Sequence, residues 1–324
     1  MSRNAIVGGL LWIGLVAGSV LNLFSLNTID LLFLLAPLAV VPLGLDLALR
    51  VVNGERNRLA IGVARWVQLP AALCTTVSLL FSQGIVATIL VLPWFCLGCG
   101  LGIWGLVCLL RGGFKSLRTV CVSMSFIYLP IGCTWLVASR WGLSPMGFQE
   151  PIVLLTAIHF HFAGFAAPLL TAATAATVER TTTKVQKIFR IIVTGVLAGP
   201  GLLAAGFVVG PHLKLAAALL LVISEIGLAL FFLIALRGMR PRSAQALVAL
   251  SSACVLFSMV LAAIWAVGEF PLQPFVHLAE MAKLHGTANA LGFTVCGLLG
   301  WTLSVGKAAR KKNPVAKEEL TWFV

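Results

Sequence analysis

Long apolar stretches separated by short polar connections follow one another from Ile6 to Val305. Windows of about 19 residues resolve them into ten runs. The first five are Ile6 to Leu23, Ile29 to Leu49, Leu59 to Leu80, Ile85 to Leu110 and Thr119 to Ala138. The second five are Ile152 to Val178, Ile191 to Val209, Leu215 to Leu236, Ala244 to Val267 and Met281 to Val305. Each approaches or exceeds the roughly 20 residues that carry an α-helix across a bilayer. The expected fold is all-α: a polytopic transmembrane helix bundle of about ten spans. Residues 1–306 are read as the transmembrane domain and residues 307–324 as a basic cytoplasmic tail. The fourth run holds Pro93 among glycines, which predicts a kink or a break there. The start, Met-Ser-Arg-Asn before a long run, lacks a small-residue cleavage site at the usual spacing. The first run is therefore expected to be a retained helix.

Composition agrees with the pattern. Of 324 residues, 60% are hydrophobic and 10% charged, where a soluble domain carries about 25% charged residues. The formal charge of +13 raises the question of nucleic acid. Its distribution gives another answer. Every second connection is basic: Arg50, Arg56 and Arg58; Arg111, Lys115 and Arg118; Arg180, Lys184, Lys187 and Arg190; Arg237, Arg240 and Arg242. Arg3 and the tail residues Lys307, Arg310, Lys311, Lys312 and Lys317 join the same side, so that only Arg65, Arg140, Lys214 and Lys283 of the 23 Lys and Arg fall elsewhere. The positive-inside rule then expects both termini in the cytoplasm. The basic loops are expected to touch anionic lipid heads, and no nucleic-acid partner is expected. The eight cysteines all lie inside apolar runs and are expected as free, buried thiols; Cys96-Leu-Gly-Cys99 is read as packing.

This orientation assigns depth to the polar residues. His159 and His161 fall in the outer half of the sixth run, and His285 lies about one turn inside the outer end of the tenth. His212 and His277 belong to outer connections. An intramembrane ionisable residue is a functional-site hypothesis that calls for a named partner. Residues two apart on a helix point about 200° from one another, so His159 and His161 cannot share one small site without distortion. One is expected to serve a cavity while the other bonds a neighbouring helix. His285 and Asn289, four apart, share a face with the small residues Ala288 and Gly292. A polar cluster of His285, Asn289 and one of the sixth-run histidines is expected, with Glu280 at its mouth and able to pair with Lys283. Glu225 stands near the middle of the eighth run. A bare carboxylate there is costly, so it is expected to hold its proton or to bond a His or Lys. Asp46 and Arg65, near the inner ends of the second and third runs, are read as a structural ion pair, with Arg50 as the other partner open to Asp46. The second and seventh runs share a Pro/Gly-rich pattern around Pro37, Pro42 and Pro200, a faint sign of a five-plus-five inverted repeat. The stretch Gly268 to Glu280, with two prolines, is expected as an interfacial or re-entrant segment. The spacing offers no metal motif: no HExxH helix and no histidines four apart.

Three segments carry a resemblance: His159-Phe-His-Phe-Ala-Gly-Phe165, His285-Gly-Thr-Ala-Asn289-Ala-Leu-Gly-Phe293 and Leu35-Ala-Pro-Leu-Ala-Val-Val-Pro-Leu-Gly-Leu45. In these the chain resembles the YndJ-like family of bacterial membrane proteins, and the likeness runs over most of its length. The resemblance implies a multi-pass protein of the bacterial cell (inner) membrane, loosely grouped with transporters. Some members of that family carry a soluble C-terminal domain, and no role depending on it is expected of these residues. The His-Phe-His segment also looks like the haem-ligating helix of haem–copper oxidase main subunits. The copper-site histidines of that family have no counterpart here, which excludes an oxidase.

Three functions are carried forward. The first is a small proton- or ion-coupled transporter for an unknown small or lipid-soluble ligand, using the His/Glu/Asn site in its outer half. The second is an intramembrane acid/base enzyme on an isoprenoid-like substrate, with Glu225 or Glu280 as acid and a histidine as base. The third is a haem- or metal-binding membrane protein; no cofactor is expected under the first two readings.

Overall fold

The computed structural model describes residues 2–52, 55–112, 114, 116–270 and 277–312, and the side chains of all of these but 55–57 and 306–312. Among the described residues ten helices are long and apolar enough to cross a membrane. They are α1 (Arg3–Val20), α2 (Thr28–Val51), α3 (Arg58–Leu80), α4 (Ile85–Gly112) and α5 (Leu117–Trp141). The second five are α6 (Ile152–Val178), α7 (Thr183–Val209), α8 (Pro211–Gly238), α9 (Arg242–Glu269) and α10 (Leu278–Val305). All ten expected spans are present, and no strand occurs among the described residues. The physical cause is solvation: in hydrocarbon each backbone N–H and C=O must find its partner inside its own segment, which a helix achieves. Large apolar residues such as Leu10, Ile103, Ile191 and Ile223 stand exposed on the flanks, where lipid tails replace water.

The helices form two arcs around a centre. Helices α3, α4 and α5 pack in sequence and close on α6 and α2; α7, α8 and α9 pack in sequence and close on α10 and α6. Helices α2, α6 and α10 touch one another between the arcs. In the most apolar stretch of α2, 94% of residues are buried, against 33% in α7 and 17% in α1. Helix α2 is thus central, while α7 lies on the flank. The Pro/Gly pattern that α2 and α7 share therefore does not place them in equivalent surroundings.

All three central helices contain π-helical turns: Ala36–Val40 in α2, Phe160–Ala166 in α6, and Ala282–Gly286 with Ala288–Val295 in α10. These wide turns contact each other across the centre. Single π turns inside α-helices concentrate at functional sites. In α2 the π turn leaves one carbonyl open. Pro42 has no N–H to offer the carbonyl five residues back, and Gln68 Nε2 on α3 donates to that Pro37 carbonyl instead, at 2.6 Å. Helix α4, by contrast, continues through Pro93 as one helix, so of the kink or break expected there the break does not occur.

A polar knot ties the ends of α1, α2 and α3. Arg65 Nη2 stands 3.4 Å from Asp46 Oδ1, and the backbone N–H of Ser2 donates to the other Asp46 oxygen. Asn4 Nδ2 donates to the Arg65 carbonyl at 2.6 Å and to Gln68 Oε1 at 3.2 Å. Asp46 is buried and Arg50 is exposed on the same helix, so the partner Asp46 takes is Arg65.

Candidate functional site

A cavity of about 330 Å³ enters the bundle at the end where the sparsely charged connections lie. Met146, Phe148, Pro211 and Phe270, from three of those connections and the adjoining turns, border it, and it descends between α6, α7, α8, α9 and α10. Its walls are mostly apolar, with the rings of Trp135, Phe160, Phe207 and Phe293 prominent. Six polar or ionisable side chains reach it that matter for chemistry: His159, Lys214, Glu225, Glu269, His285 and Asn289.

The two sixth-helix histidines part company, as their spacing requires. His161 turns away from the cavity and is completely buried among α4, α5 and α2. Its Nδ1 donates to the Ala157 carbonyl at 2.8 Å, and its Nε2 accepts from the Trp94 indole at 3.1 Å. The edge of Phe33 closes one side of the ring, at 5.4 Å between centroids. Gly132 on α5 makes room: a Cβ there would stand 2.7 Å from His161 Nδ1. With both nitrogens engaged, His161 is a fitted core residue. The i−4 carbonyl bond and the partner on a distant helix are what sequence reading could not see.

His159 faces the cavity, and its Nε2 is buried with no hydrogen-bond partner among the described residues. Across the same cavity Glu225 is 3% exposed and its Oε2 is likewise without a partner. Neighbouring Ser224 fixes this part of α8. Its hydroxyl donates to the Leu220 carbonyl at 2.8 Å, and α7 comes so close at Gly195 that a Cβ would stand 1.9 Å from Ser224 Oγ. Helix α8 is thereby pressed against α7 by Ser224, while Glu225, one position and about 100° further round, reaches the cavity.

His285 and Asn289 share a face of α10 and close a ring with Ser258 on α9. His285 Nδ1 donates to the Ser258 carbonyl at 2.9 Å, Asn289 Nδ2 donates to His285 Nε2 at 3.0 Å, and the Ser258 hydroxyl donates to Asn289 Oδ1 at 2.8 Å. With Nε2 accepting from the Asn289 amide, the proton of this imidazole is assigned to Nδ1; the Ser258 hydroxyl also lies 3.2 Å from the Val255 carbonyl. Ser258 is the member that sequence reading missed. A serine in a helical run carries no signal of its own.

A family model for YndJ-like proteins matches residues 31–293, which takes in α2 through the π turns of α10. The chain belongs to the YndJ-like family. It is 25% identical over 313 residues to the uncharacterized membrane protein YndJ of Bacillus subtilis (strain 168), covering 95% of this chain and 54% of that protein. The chain thus spans about half the length of the curated relative it matches. No solved structure matches it. With ten membrane-crossing helices and this relative, it is a multi-pass bacterial membrane protein.

The remaining expected site residues of this YndJ-like chain are placed as follows. Glu280 is exposed, does not border the cavity, and forms no ion pair with the exposed Lys283 among the described residues. The helix widens to π at Ala282, so residues three apart no longer stack as they do on an α-helix. The cavity mouth holds another pair instead: Lys214 Nζ lies 3.0 Å from Glu269 Oε1 and 5.0 Å from the Phe207 ring centre. Residues 271–276 of the expected re-entrant stretch and residues 313–324 of the basic tail lie outside the described residues. Among the described residues no disulfide joins the eight cysteines; of the burial expected for them, Cys121 and Cys133 are buried, while Cys96 is exposed on the flank of α4 and the others are half-buried. Among the described residues no three His, Cys, Asp or Glu side chains converge as a set of metal ligands. His161, with both nitrogens occupied, offers none to a haem iron.

Proposed function

We propose that the chain is a proton-coupled carrier, in which the cavity binds a small lipid-soluble ligand and Glu225 and His159 exchange protons with it. One observation carries this reading: two ionisable side chains, a carboxyl and an imidazole, border one apolar cavity with a buried polar atom each left unpartnered. Buried polar atoms without partners are costly and rare, and they concentrate where a ligand or a proton completes them. The ordered ring of His285, Asn289 and Ser258 beside them holds α9 to α10 and gives the wall a fixed shape. The π turns of α2, α6 and α10 support the carrier reading further, because such turns are places where a helix can change register.

In this scheme Glu225 is protonated while the cavity is empty, since an unpaired carboxylate in an apolar wall is expensive. Ligand entry from the sparsely charged end displaces that proton, and His159 accepts or relays it. The same pair is suited to acid–base catalysis on a lipid-soluble substrate; ligand recovered chemically altered from the purified protein would favour that second reading.

The test uses liposomes containing the protein and an internal pH dye, challenged with lipophilic solutes that are cationic, neutral or anionic. At least one solute is expected to drive a protein-dependent proton flux that Glu225→Gln removes. Flux equal to that of empty liposomes for every solute would overturn the carrier reading.

A further inference from the structure

Resting on that reading of the cavity, we infer that its ligand is a lipophilic cation, held by the Glu225 carboxylate and the aromatic walls. The charges of the groups that face the cavity select its ligand. Lys214 on α8 and Glu269 on α9 neutralise each other at the mouth, 3.0 Å apart. His285 on α10 spends both nitrogens inside the bundle. The α7 residues on the wall, Leu203, Ala204, Phe207 and Val208, carry no charge. On α6 only His159 is ionisable. What is left is the Glu225 carboxyl, 3% exposed and without a cationic partner among the described residues, and the His159 imidazole, which carries no charge until it takes a proton.

Anionic ligands would meet no unpaired side chain on the wall that is permanently cationic, and Glu225 would repel them whenever it is ionised. A neutral apolar ligand would fill the space and leave the buried Glu225 oxygen as it is. A cation answers both demands, because a charge-assisted bond satisfies a buried carboxylate. The aromatic residues Trp135, Phe160, Phe207 and Phe293 line the cavity, and aromatic rings attract cations more strongly where water is excluded. At about 330 Å³ the cavity sits at the small end of the range for organic ligands, enough for one aromatic ring bearing an amine or ammonium group. Coupling follows at that carboxyl: the cation and a proton compete for Glu225, so entry of one releases the other, and His159 relays the released proton.

The experiment measures binding of 4-phenylbutyl-trimethylammonium and of its neutral isostere, in which a tert-butyl group replaces the ammonium head. The protein is held in lipid nanodiscs, with empty nanodiscs as background. The cation is expected to bind at least about tenfold more tightly than the isostere. Glu225→Gln is expected to remove most of the difference, leaving only the share of the aromatic walls, while the isostere still binds, which also shows that the variant is folded. Equal binding of the two probes would overturn the cation inference and leave the cavity a ligand site. Binding of neither above background would overturn the cavity reading itself.

Discussion

The indole N–H of Trp94 on α4 donates to Nε2 of His161 on α6 across 3.1 Å, with the two rings nearly parallel at 6.1 Å between centroids. Two positions earlier, His159 faces an aromatic-walled cavity with Nε2 unpartnered. One helix thus presents a structural imidazole and a candidate functional one on nearly opposite sides. Trp94→Phe would leave the buried His161 nitrogen without its donor, a loss of about 1–3 kcal/mol. A clearly lowered melting temperature in detergent is expected, with probe binding retained. His159→Gln should do the reverse, leaving melting almost unchanged and altering proton flux. Matching effects of the two variants would contradict the division of roles.

Gln68 caps the open Pro37 carbonyl of the α2 π turn. Replacing it by Leu keeps the volume but removes the donor to the Pro37 carbonyl and the acceptor for Asn4. Destabilisation of about 1–3 kcal/mol is expected from the stranded carbonyl. Gln68→Glu is expected to be at least as harmful, since a carboxylate cannot donate. Thermal melting of both variants beside the parent protein gives the comparison.

Gly195 sets how closely α7 approaches α8. Gly195→Ala forces a Cβ against Ser224 and is expected to cost about 1–3 kcal/mol by overpacking. Adding Ser224→Ala should recover only part of the loss, because Ser224 Cβ itself would stand 3.0 Å from the new methyl. Full recovery would show that the hydroxyl alone makes the contact.

Cation binding should weaken as pH falls. A proton competes with the ligand for Glu225, and a proton on His159 adds repulsion of the same sign. The other ionisable groups bordering the cavity are Lys214, Glu269 and His285, the first two mutually paired and the third bonded to Ser258 and Asn289. Binding of the phenylbutyl ammonium probe measured across a pH series should therefore fall toward acid in the parent and lose most of that slope in Glu225→Gln. A flat parent profile would contradict proton exchange at this carboxyl.

The charge pattern predicts that Met146 and Thr181 lie on opposite sides of the membrane, with Thr181 cytoplasmic. Cysteines introduced at these positions in a background lacking the native eight should react with an impermeant maleimide from outside at 146 and only after lysis at 181. The opposite labelling would invert the assigned sides and place the cavity mouth at the cytoplasm.

The sequence by itself determined the ten helices and the sharing of a face by His285 and Asn289. Run length against bilayer thickness and the 3.6-residue helical period are local properties that any reader of the chain can apply. It also required His159 and His161 to diverge, without saying which would be which. Only the tertiary structure decided that. His161 is held by a tryptophan 67 positions away, the ring on α10 is closed by a serine 31 positions from Asn289, and Glu225 reaches the cavity because α7 crowds α8 at Gly195. These are contacts between helices, and hydropathy carries no information about which face of one helix meets which face of another. Glu280 makes the same point in reverse: its spacing from Lys283 allowed a pair, and the π turn that begins at Ala282 takes residues three apart out of α-helical register.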